Sequence, residues 1–403
     1  MNNKKFYPTA LALYFTYFVN GIGVSILSQY KSSFAETWGA TQLADGSVDV
    51  SMVVSVIAAL GLGRLISLPF SGPISDRFGR RISGIIGVLC YAGYFLGITM
   101  APSMGIAYVF AILGGVANSF LDTCVTPTCL EIFTKSGSVA NLFTKFSMVV
   151  AQFLLPFMIG WVAAANMSYK TIFIVTAVAI LIDGALILFL PFPARNSAAD
   201  NKEKKQVVKE KMKFTPTAIA AILIGFTSTT TFQLWLNCNQ ELGASYGLSN
   251  PSIIQSYYSV GTILAILCSS VLIKKGLKEV NILVIYPTIS VVMLLICYFV
   301  QSPTICLIGG FVVGFAAAGG VLQLAVSTTA LFFPANKGKA TSLVMIASSA
   351  ANYTILTLAG YITKVNGASA PRMILLLNVV VTVIGVVLAL YVKAKMKNKP
   401  AAA

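Results

Sequence analysis

Residues 61–81 read GLGRLISLPFSGPISDRFGRR, an apolar run that ends in a cluster of charges. The run contains one arginine, Arg64, which has no acidic neighbour in sequence, whereas Asp76 lies among three arginines just beyond the run. An ionisable residue inside a membrane costs at least about 2.5–3.5 kcal/mol and therefore usually faces a partner or a water-filled cavity. The stretch predicts a membrane-spanning helix with a functional cation, followed by a short basic loop.

The composition of the whole chain places it among integral membrane proteins. Of 403 residues, 57% are hydrophobic and 10% are charged, and the mean hydropathy is +0.84, whereas an ordinary soluble domain has about 25% charged residues. So few polar residues could not cover a soluble core. The first apolar run, residues 8–30, is too long for the core of a removable signal peptide and lacks a small-residue cleavage site.

Apolar runs of the ~20 residues that a spanning helix needs predict an all-α integral membrane fold. The predicted spans are 8–30, 48–70, 82–100, 105–131, 140–163, 171–192, 216–240, 251–273, 280–300, 303–329, 340–362 and 371–392. These twelve transmembrane helices form two sets of six, the pattern of duplicated transporter halves. The predicted organisation is an N-terminal six-helix bundle (1–192), a basic cytoplasmic linker (193–215) and a C-terminal six-helix bundle (216–403).

The distribution of Lys and Arg predicts the orientation, because cytoplasmic loops carry an excess of these residues. With both termini in the cytoplasm, 22 of the 28 Lys and Arg residues fall in cytoplasmic segments and four in outer loops, among them Lys31. The remaining two, Arg64 and Lys145, lie within predicted spans. The net charge of +16 is therefore a topology signal, and we expect no nucleic-acid partner.

The loop GPISDRFGRR at 72–81 resembles the signature loop of the major facilitator superfamily, G-x-L-a-D-R-x-G-R-R, with a conservative change at Ile74. The resemblance implies a gating role for six residues: Gly72, Asp76, Arg77, Gly79, Arg80 and Arg81. Glycine allows a tight turn, and the aspartate can meet the positive end of a helix dipole. We expect Glu131 to support this loop by pairing with Arg80 or Arg81. The alternative is an ordinary basic loop, whose arginines reflect only the excess of Lys and Arg in cytoplasmic segments.

The resemblance extends over most of the chain. FYPTALALYF, GLGRLIS, ANSFLD, QFLLP, GFAAAGGVLQLAVS and PANKGKATS are similar to segments of the YdiM/YdiN group of this superfamily. The resemblance implies a multi-pass transport protein of the bacterial inner membrane, which is monomeric and has no cofactor or metal. The drug/proton-antiporter pattern G-x-x-x-G-P-x-x-G-G is missing from the fifth span, and the sugar-porter pattern P-E-S-P-R is missing after the sixth.

Three ionisable residues are predicted to share one wall of a central cavity in the first bundle. Arg64 and Lys145 lie about 9–12 Å from the cytoplasmic end of their predicted spans at 1.5 Å per residue, and Asp122 lies close to the midplane. Asp122 is the candidate proton-coupling carboxylate, and the two cations are candidates for attracting an anionic substrate. Alternatively, Asp122 and one cation form a structural ion pair while Lys145 extends to the cytoplasm. Asp183, in the sixth span, is predicted to be structural.

Uncharged polar residues within the spans are further substrate-binding candidates, since amides facing a cavity suit a hydroxylated ligand: Gln29, Asn118, Gln233, Asn237, Gln323 and Asn352. The alternative is hydrogen bonding between helices, which uses the same residue types.

These observations predict a secondary transporter that works by alternating access, takes up a small hydroxylated organic acid of the shikimate or quinate type, and is coupled to H⁺. Alternatives are a sugar, drug or metabolite facilitator or exporter of the same superfamily, and, more remotely, a transporter-like sensor. An enzyme is not expected, because the chain has no histidine and no clustered carboxylates from which to build a nucleophile–base pair or metal site.

Overall fold

The computed structural model describes residues 3–42, 48–133, 137–193, 212, 214–333 and 336–397, which are almost entirely helical. The helices are α1 (Tyr7–Gln29), α2 (Lys31–Thr37), α3 (Ser51–Phe78), α4 (Arg80–Met100), α5 (Met104–Ile132), α6 (Gly137–Ala164), α7 (Lys170–Phe189), α8 (Pro216–Ser245), α9 (Ile254–Lys274), α10 (Glu279–Phe299), α11 (Pro303–Val313), α12 (Val321–Ala330), α13 (Lys337–Asn366) and α14 (Ala370–Lys397). We call residues 3–193 the first half and residues 214–397 the second half.

Within the described residues, eleven segments are long and apolar enough to cross a membrane. The last of them, Gly338–Met396, contains both α13 and α14, which are separated by a 3₁₀ turn at Gly367–Ser369. The predicted all-α membrane fold is confirmed. The helix ends lie within a few residues of most predicted span ends, and the two larger differences fall at the signature loop and in the tenth predicted span.

The first difference concerns the signature loop, most of which is helical. Helix α3 continues to Phe78, so the prediction of a loop from residue 72 is wrong as far as 78. The chain reverses at Gly79, whose φ of +97° favours glycine, and α4 begins at Arg80. Gly72 lies inside the helix and contributes nothing to the turn.

The extension of α3 persists although two prolines lie inside it, each of which removes one backbone hydrogen bond. Buried serines at four-residue spacing line the face of α3 that packs on α5. Ser67 Oγ lies 2.8 Å from Ser119 Oγ, and Ser75 Oγ donates to the Thr123 carbonyl at 3.0 Å. These contacts hold the last turns of α3 against α5, which sequence periodicity alone does not reveal.

The second difference is a break in the tenth predicted span, so the prediction of a continuous helix over 303–329 is wrong. Helix α11 ends at Val313, a π-helical turn follows at Gly314–Ala318, and α12 begins only at Val321. Gly320 has a φ of +107°, a backbone conformation that glycine adopts at little cost. The run of small residues GFAAAGG therefore divides this span within the membrane.

In the first half, α3 and α5 cross with their backbones in contact. A Cβ built on Gly63 would lie 2.1 Å from the carbonyl oxygen of Ile112, and one built on Gly115 would lie 2.1 Å from that of Leu60. Close helix approach through small residues is the usual packing device in membranes. The crossing fixes the position of Arg64, the residue that follows Gly63.

In the second half, α9 and α11 cross in the same manner. A Cβ built on Gly261 would lie 2.1 Å from the carbonyl oxygen of Phe311, and one built on Gly314 would lie 2.1 Å from that of Tyr258. The second crossing thus repeats the backbone geometry of the first with different sequence around it.

The two halves meet through α3 and α13, α6 and α9, and α1 and α8. The α3–α13 contact is close: a Cβ built on Gly61 would lie 2.6 Å from the Tyr353 backbone nitrogen, and one built on Gly360 would lie 3.0 Å from Ser55 Oγ. It occupies the first turns of α3. We call the side of the molecule where α1 ends and α3 begins the Lys31 side, and the opposite side, where α3 turns into α4, the Arg80 side.

Candidate functional site

Arg64 and Asp122 form an ion pair between α3 and α5, with Arg64 Nη2 and Asp122 Oδ2 2.7 Å apart. Arg64 lies midway along α3, about 20 Å from either end at 1.5 Å per residue, and so deeper than the predicted 9–12 Å, because α3 continues to Phe78. Both side chains remain partly exposed, at 23% and 31%. A charged pair at this depth therefore faces a space that water can reach.

Tyr17 of α1 is the second hydrogen-bond donor to the Asp122 carboxylate. Its hydroxyl donates a hydrogen bond to Asp122 Oδ1, so each carboxylate oxygen has one donor. Tyr17 is buried, and sequence reasoning did not single it out, because nothing distinguishes it from the other fifteen tyrosines.

Lys145 of α6 brings a second positive charge to this pair. Its side chain is partly buried and interacts electrostatically with both Asp122 and Arg64. The structure therefore brings together the three ionisable residues that were predicted to share one wall. Two cations and one anion leave a local charge of +1, which suits an anionic ligand.

Asn118, one helical turn before Asp122, belongs to a neighbouring polar network. The Tyr91 hydroxyl of α4 lies 3.1 Å from Asn118 Oδ1 and contacts Asn20 Oδ1 of α1. The network thus ties α5, α4 and α1 together beside the ion pair. Tyr91 and Asn20 are also residues that sequence reasoning missed.

A second group of candidates lies where α1 meets α8 and α9. Gln29 Oε1 accepts a hydrogen bond from Gln240 Nε2 at 2.6 Å, and Gln29 Nε2 lies 3.5 Å from Gln255 Oε1. Gln233 Oε1 accepts from Asn237 Nδ2 at 3.0 Å within α8. We call these five uncharged amides the amide cluster. Within it, the contacts of Gln29 with Gln240 and Gln255 join the two halves on the Lys31 side.

Lys31 lies in the connection between the first two spans, as predicted, but its side chain is buried. It is in α2 with only 2% of its side chain exposed, and its Nζ lies 2.6 Å from Glu241 Oε2 of α8. The same ammonium donates to the backbone carbonyl of Asn237. A lysine two residues beyond a span normally extends into water, so sequence alone favoured exposure, and only the arrangement of α1, α2 and α8 creates a buried pair.

The remaining polar candidates are placed separately. Gln323 is exposed on α12, just after the break, and Asn352 is partly buried where α13 packs on α3. Asn352 Oδ1 has no hydrogen-bond partner among the described residues. Asp183, predicted to be structural, is buried and lies 2.7 Å from Thr16 Oγ1, between α7 and α1.

The signature-motif residues lie on the Arg80 side. Arg80 Nη2 and Nε approach Glu131 Oε1 at 2.6 and 3.1 Å, whereas Arg81 donates to the Leu190 carbonyl at 2.7 Å. Asp76 and Arg77 are exposed in the last turn of α3. These positions are compatible with a gate, and the gating role itself stays a prediction.

Comparison with known proteins gives consistent similarities. The family model described as Major Facilitator Superfamily matches residues 13–284 and again 238–403. The inner membrane transport protein YdiM of Escherichia coli (strain K12) is 32% identical over 98% of this chain and 96% of its own length. YdiN of the same organism is 31% identical over 89% of this chain and 84% of its own length. The resemblance predicted from the motifs is confirmed.

A solved structure of the proton:xylose symporter XylE bound to 6-bromo-6-deoxy-D-glucose is similar in fold, with a TM-score of 0.74. The similarity covers 99% of this chain and 97% of that chain at 16% sequence identity. At that identity the likeness concerns the fold alone.

Proposed function

The chain belongs to the Major Facilitator Superfamily and is a multi-pass protein of the cytoplasmic membrane, and from this premise we propose that it takes up a small hydroxylated organic acid, of the shikimate or quinate type, together with protons. The observation that carries the proposal is the Arg64–Asp122 ion pair, which is partly exposed and has Arg64 midway along α3. A mid-membrane charge pair that stays partly exposed is typical of a substrate or ion pathway.

The proposal includes a topology of twelve transmembrane helices with both termini in the cytoplasm and a monomeric protein of two bundles, residues 1–192 and 216–403. The excess of Lys and Arg then puts the Arg80 side in the cytoplasm. The hydrogen bonds of Gln29 and Lys31 to α8 join the bundles on the opposite side. This arrangement supports a conformation closed to the outside, with the ion pair reached from the cytoplasm.

The chemistry follows from the competition of two anions for one guanidinium. With Asp122 ionised, Arg64 is neutralised by it and has little attraction for a second carboxylate. When Asp122 takes up a proton, the guanidinium becomes available for bidentate binding of the substrate carboxylate. Lys145 adds a second positive charge, so binding of the substrate anion and binding of the proton favour each other.

Alternating access requires the Lys31 side to separate during the cycle. The contacts that must break there are the Lys31–Glu241 ion pair and the hydrogen bond between Gln29 and Gln240. The substrate hydroxyls would take over the hydrogen bonds of the amide cluster as it opens. In this proposal the first half supplies the charges for the carboxylate, and the amide cluster, of which only Gln29 lies in the first half, supplies amides for the hydroxyls.

A second candidate function is facilitated transport of a neutral hydroxylated compound such as a sugar. It is favoured by one observation: the charge of Arg64 is already compensated by Asp122 in the structure, which leaves the amide cluster as the main source of hydrogen bonds. Under this alternative the ion pair is structural, and no proton accompanies the substrate.

The proposal is tested with the purified protein in liposomes that contain a pH-sensitive dye. Organic acids, sugars and amino acids are added outside in turn, and internal acidification is recorded for wild type and for Asp122→Asn. We expect acidification with a hydroxylated carboxylate such as shikimate, abolished in Asp122→Asn because that amide cannot carry the proton.

The matched control is Asp183→Asn, the same change at a buried aspartate of α7. Its partner is Thr16, so we expect acidification to continue. Acidification that survives Asp122→Asn and disappears in Asp183→Asn would transfer the proton-coupling role to Asp183. Uptake of a neutral sugar without acidification would support the second candidate instead.

A further inference from the structure

Asp183 of α7 is a buried acidic residue that the proposed transport chemistry does not use. Only 3% of it is exposed, and its one polar partner among the described residues is the Thr16 hydroxyl of α1, 2.7 Å from Oδ2. It lies six residues before the end of α7 at Phe189, about 9 Å along the helix axis. A carboxyl group is therefore enclosed within a membrane-spanning helix with a single neutral partner.

The surroundings of Asp183 differ from those of Asp122, the other aspartate within the spans of the first half. Asp122 has the Arg64 guanidinium at 2.7 Å, accepts from the Tyr17 hydroxyl and remains 31% exposed. Asp183 has neither a cation nor comparable access to water. The cost of burying an isolated charge is normally avoided by a change of protonation state. The ionised form is thus compensated at Asp122 and uncompensated at Asp183.

No cation of the neighbouring helices compensates Asp183 within the described residues. Helix α7 packs on α4, α1 and α6, and α1 has no cationic residue. Lys145 of α6 interacts with the ion pair at the candidate site, and Arg80 of α4 is paired with an acidic residue of α5. Arg81 donates to the Leu190 carbonyl, about 10 Å farther along the chain axis than Asp183. Tyrosine and cysteine side chains on these helices are uncharged at neutral pH.

The hydrogen bonds around Thr16 also favour a protonated acid. The Thr16 hydroxyl lies 2.7 Å from Asp183 Oδ2 and 3.1 Å from the Ala12 carbonyl oxygen. A hydroxyl has one hydrogen, and a carbonyl can only accept. If Asp183 is ionised, two acceptors compete for that hydrogen. If Asp183 is protonated, it donates to Thr16 Oγ1 and Thr16 donates to the Ala12 carbonyl, so each hydrogen has its own acceptor.

We propose that Asp183 is a proton-binding site, separate from Asp122, which keeps its proton throughout the transport cycle. Helices α1 and α7 belong to the same half, so a rocking motion of the two halves does not separate them. Thr16 and Tyr17 are consecutive residues of α1, and they contact the two aspartates. The helix thus holds a retained proton through one residue and contacts the exchangeable site through the next.

The test is infrared spectroscopy of the full-length protein in detergent at about pH 6, where an ordinary aspartate is almost fully ionised. A protonated carboxyl group absorbs at higher wavenumber than the amide carbonyls. We expect the spectrum of wild type minus that of Asp183→Asn to contain the band of one protonated carboxyl. A difference spectrum without this band would overturn the proposal. The matched control is Asp49→Asn, the same change at a carboxylate outside the spans that accepts from the Ser51 backbone N–H at 2.9 Å, and its difference spectrum should lack the band.

Thr16→Val tests the direction of the hydrogen bond, because valine keeps the shape of threonine and removes the oxygen. If Asp183 donates to Thr16, the protonated-carboxyl band persists in Thr16→Val and changes position, since the O–H group has lost its acceptor. A band that is present in Thr16→Val and absent from wild type would show that the Thr16 hydrogen stabilises an ionised carboxylate. That result would overturn the proposal.

Thermal unfolding at a series of pH values gives a second measurement. A folded state that binds one more proton than the unfolded state loses stability as the pH rises, by about tenfold in the unfolding equilibrium constant per pH unit. An unfolded aspartate ionises near about pH 3.9. We therefore expect the Tm of wild type to fall relative to that of Asp183→Asn between about pH 4 and pH 6. Parallel Tm curves for the two proteins would overturn the proposal.

A comparison with Asp122→Asn covers the case in which Asp183→Asn does not fold. A protonated-carboxyl band that is present in wild type and kept in Asp122→Asn would support the assignment to Asp183. A wild-type spectrum without such a band, or a band that disappears in Asp122→Asn, would overturn the proposal. None of these measurements involves transport or an organic acid, so their failure is separate from any failure of the proposed transport function.

Discussion

The two glycine crossings have one backbone geometry and different chemistry. The residue after the first glycine is Arg64 in α3 and Thr262 in α9. Arg64 reaches across to Asp122 at 2.7 Å, whereas Thr262 Oγ1 lies 2.9 and 3.1 Å from backbone carbonyl oxygens, the second of them that of Gly314. The same close contact supports an ion pair in the first half and only backbone hydrogen bonds in the second.

The scaffold and the chemistry of the two halves are therefore separable. Close approach of helices depends on a missing Cβ, which any substrate specificity can share. Charges at mid-membrane are costly, and the described spans place the Arg64 pair in the first half, while hydroxyls and amides line the second. We infer that the halves divide recognition into an ionic part and a hydrogen-bonding part.

The largest loss of folded protein is expected when an added Cβ occupies either glycine crossing. Gly63→Ala and Gly261→Ala each place a Cβ about 2.1 Å from a carbonyl oxygen of the partner helix, so the backbones must separate at a cost of about 3 kcal/mol, the upper range for overpacking. Folded protein, measured by size-exclusion chromatography of detergent extracts, should fall sharply for both variants.

The control for this comparison is Gly93→Ala in α4, where the nearest atom to a new Cβ is Leu113 Cδ1 at 3.6 Å. This is an ordinary contact, so we expect a normal yield. If one crossing tolerated alanine and the other did not, the two halves would not depend equally on close approach of their helices.

The next largest effect is a loss of transport that we expect from a substitution at the first crossing and not from one at the second. Arg64→Gln leaves Asp122 without its cation and removes a charge-assisted hydrogen bond worth about 1.5–3 kcal/mol, so transport should fall tenfold or more in the liposome assay. Thr262→Ala should keep transport within about threefold, since the hydroxyl contacts only the backbone carbonyl oxygens of Tyr258 and Gly314. Equal losses in the two variants would show that the charge of Arg64 has no special role.

A smaller effect is expected where the two halves are joined on the Lys31 side. Glu241→Gln leaves the buried Lys31 ammonium without a counter-charge, and since Glu241 is 27% exposed, solvent screens part of the loss. We expect the conformational equilibrium to shift several-fold toward the state in which the two halves are separated on the Lys31 side. The readout is modification of Ser25→Cys, a buried position on α1, by a membrane-impermeant thiol reagent, with the modified peptide quantified by mass spectrometry.

The charge-swapped variant Lys31→Glu/Glu241→Lys should restore protection of Ser25→Cys, because the attraction is regained with the charges exchanged. Lys170→Met, which removes a different lysine on the same side, should leave protection unchanged. Protection that is the same in Glu241→Gln and wild type would show that the ion pair does not hold this side closed. Modification that occurs only in inverted vesicles would reverse the proposed topology.

The smallest change in stability is expected from substitutions on the Arg80 side. Arg80→Ala removes the pair with Glu131, in which both side chains are partly exposed, at 23% and 29%, so the loss of stability should be about 1 kcal/mol or less. In the second half, the comparable carboxylate, Glu279, accepts from Ser327 of α12 and forms no ion pair with an arginine among the described residues. Glu279→Gln should change Tm less than Arg80→Ala. A larger change in Tm for Glu279→Gln would show that the contact in the second half contributes more to stability than the Arg80–Glu131 pair.

Sequence alone determined the membrane class, the approximate helix ends and the superfamily, because length, hydropathy and the G-x-x-x-D-R-x-G-R-R spacing are local properties of the chain. It also identified Arg64, Asp122 and Lys145, since ionisable residues in apolar runs are conspicuous. It did not find Tyr17, Gln240 or Gln255, because a tyrosine or an amide in a span has no distinctive local pattern.

Which of these groups meet depends on how the helices pack. The extension of α3 depends on serines that find partners on α5, and the burial of Lys31 depends on Glu241, more than two hundred residues away. The break at Gly314–Ala318 interrupts a run that hydropathy alone marks as one continuous span. Hydropathy records the cost of leaving water residue by residue, whereas hydrogen bonds and ion pairs depend on distances between helices, which the chain fixes only when it is folded.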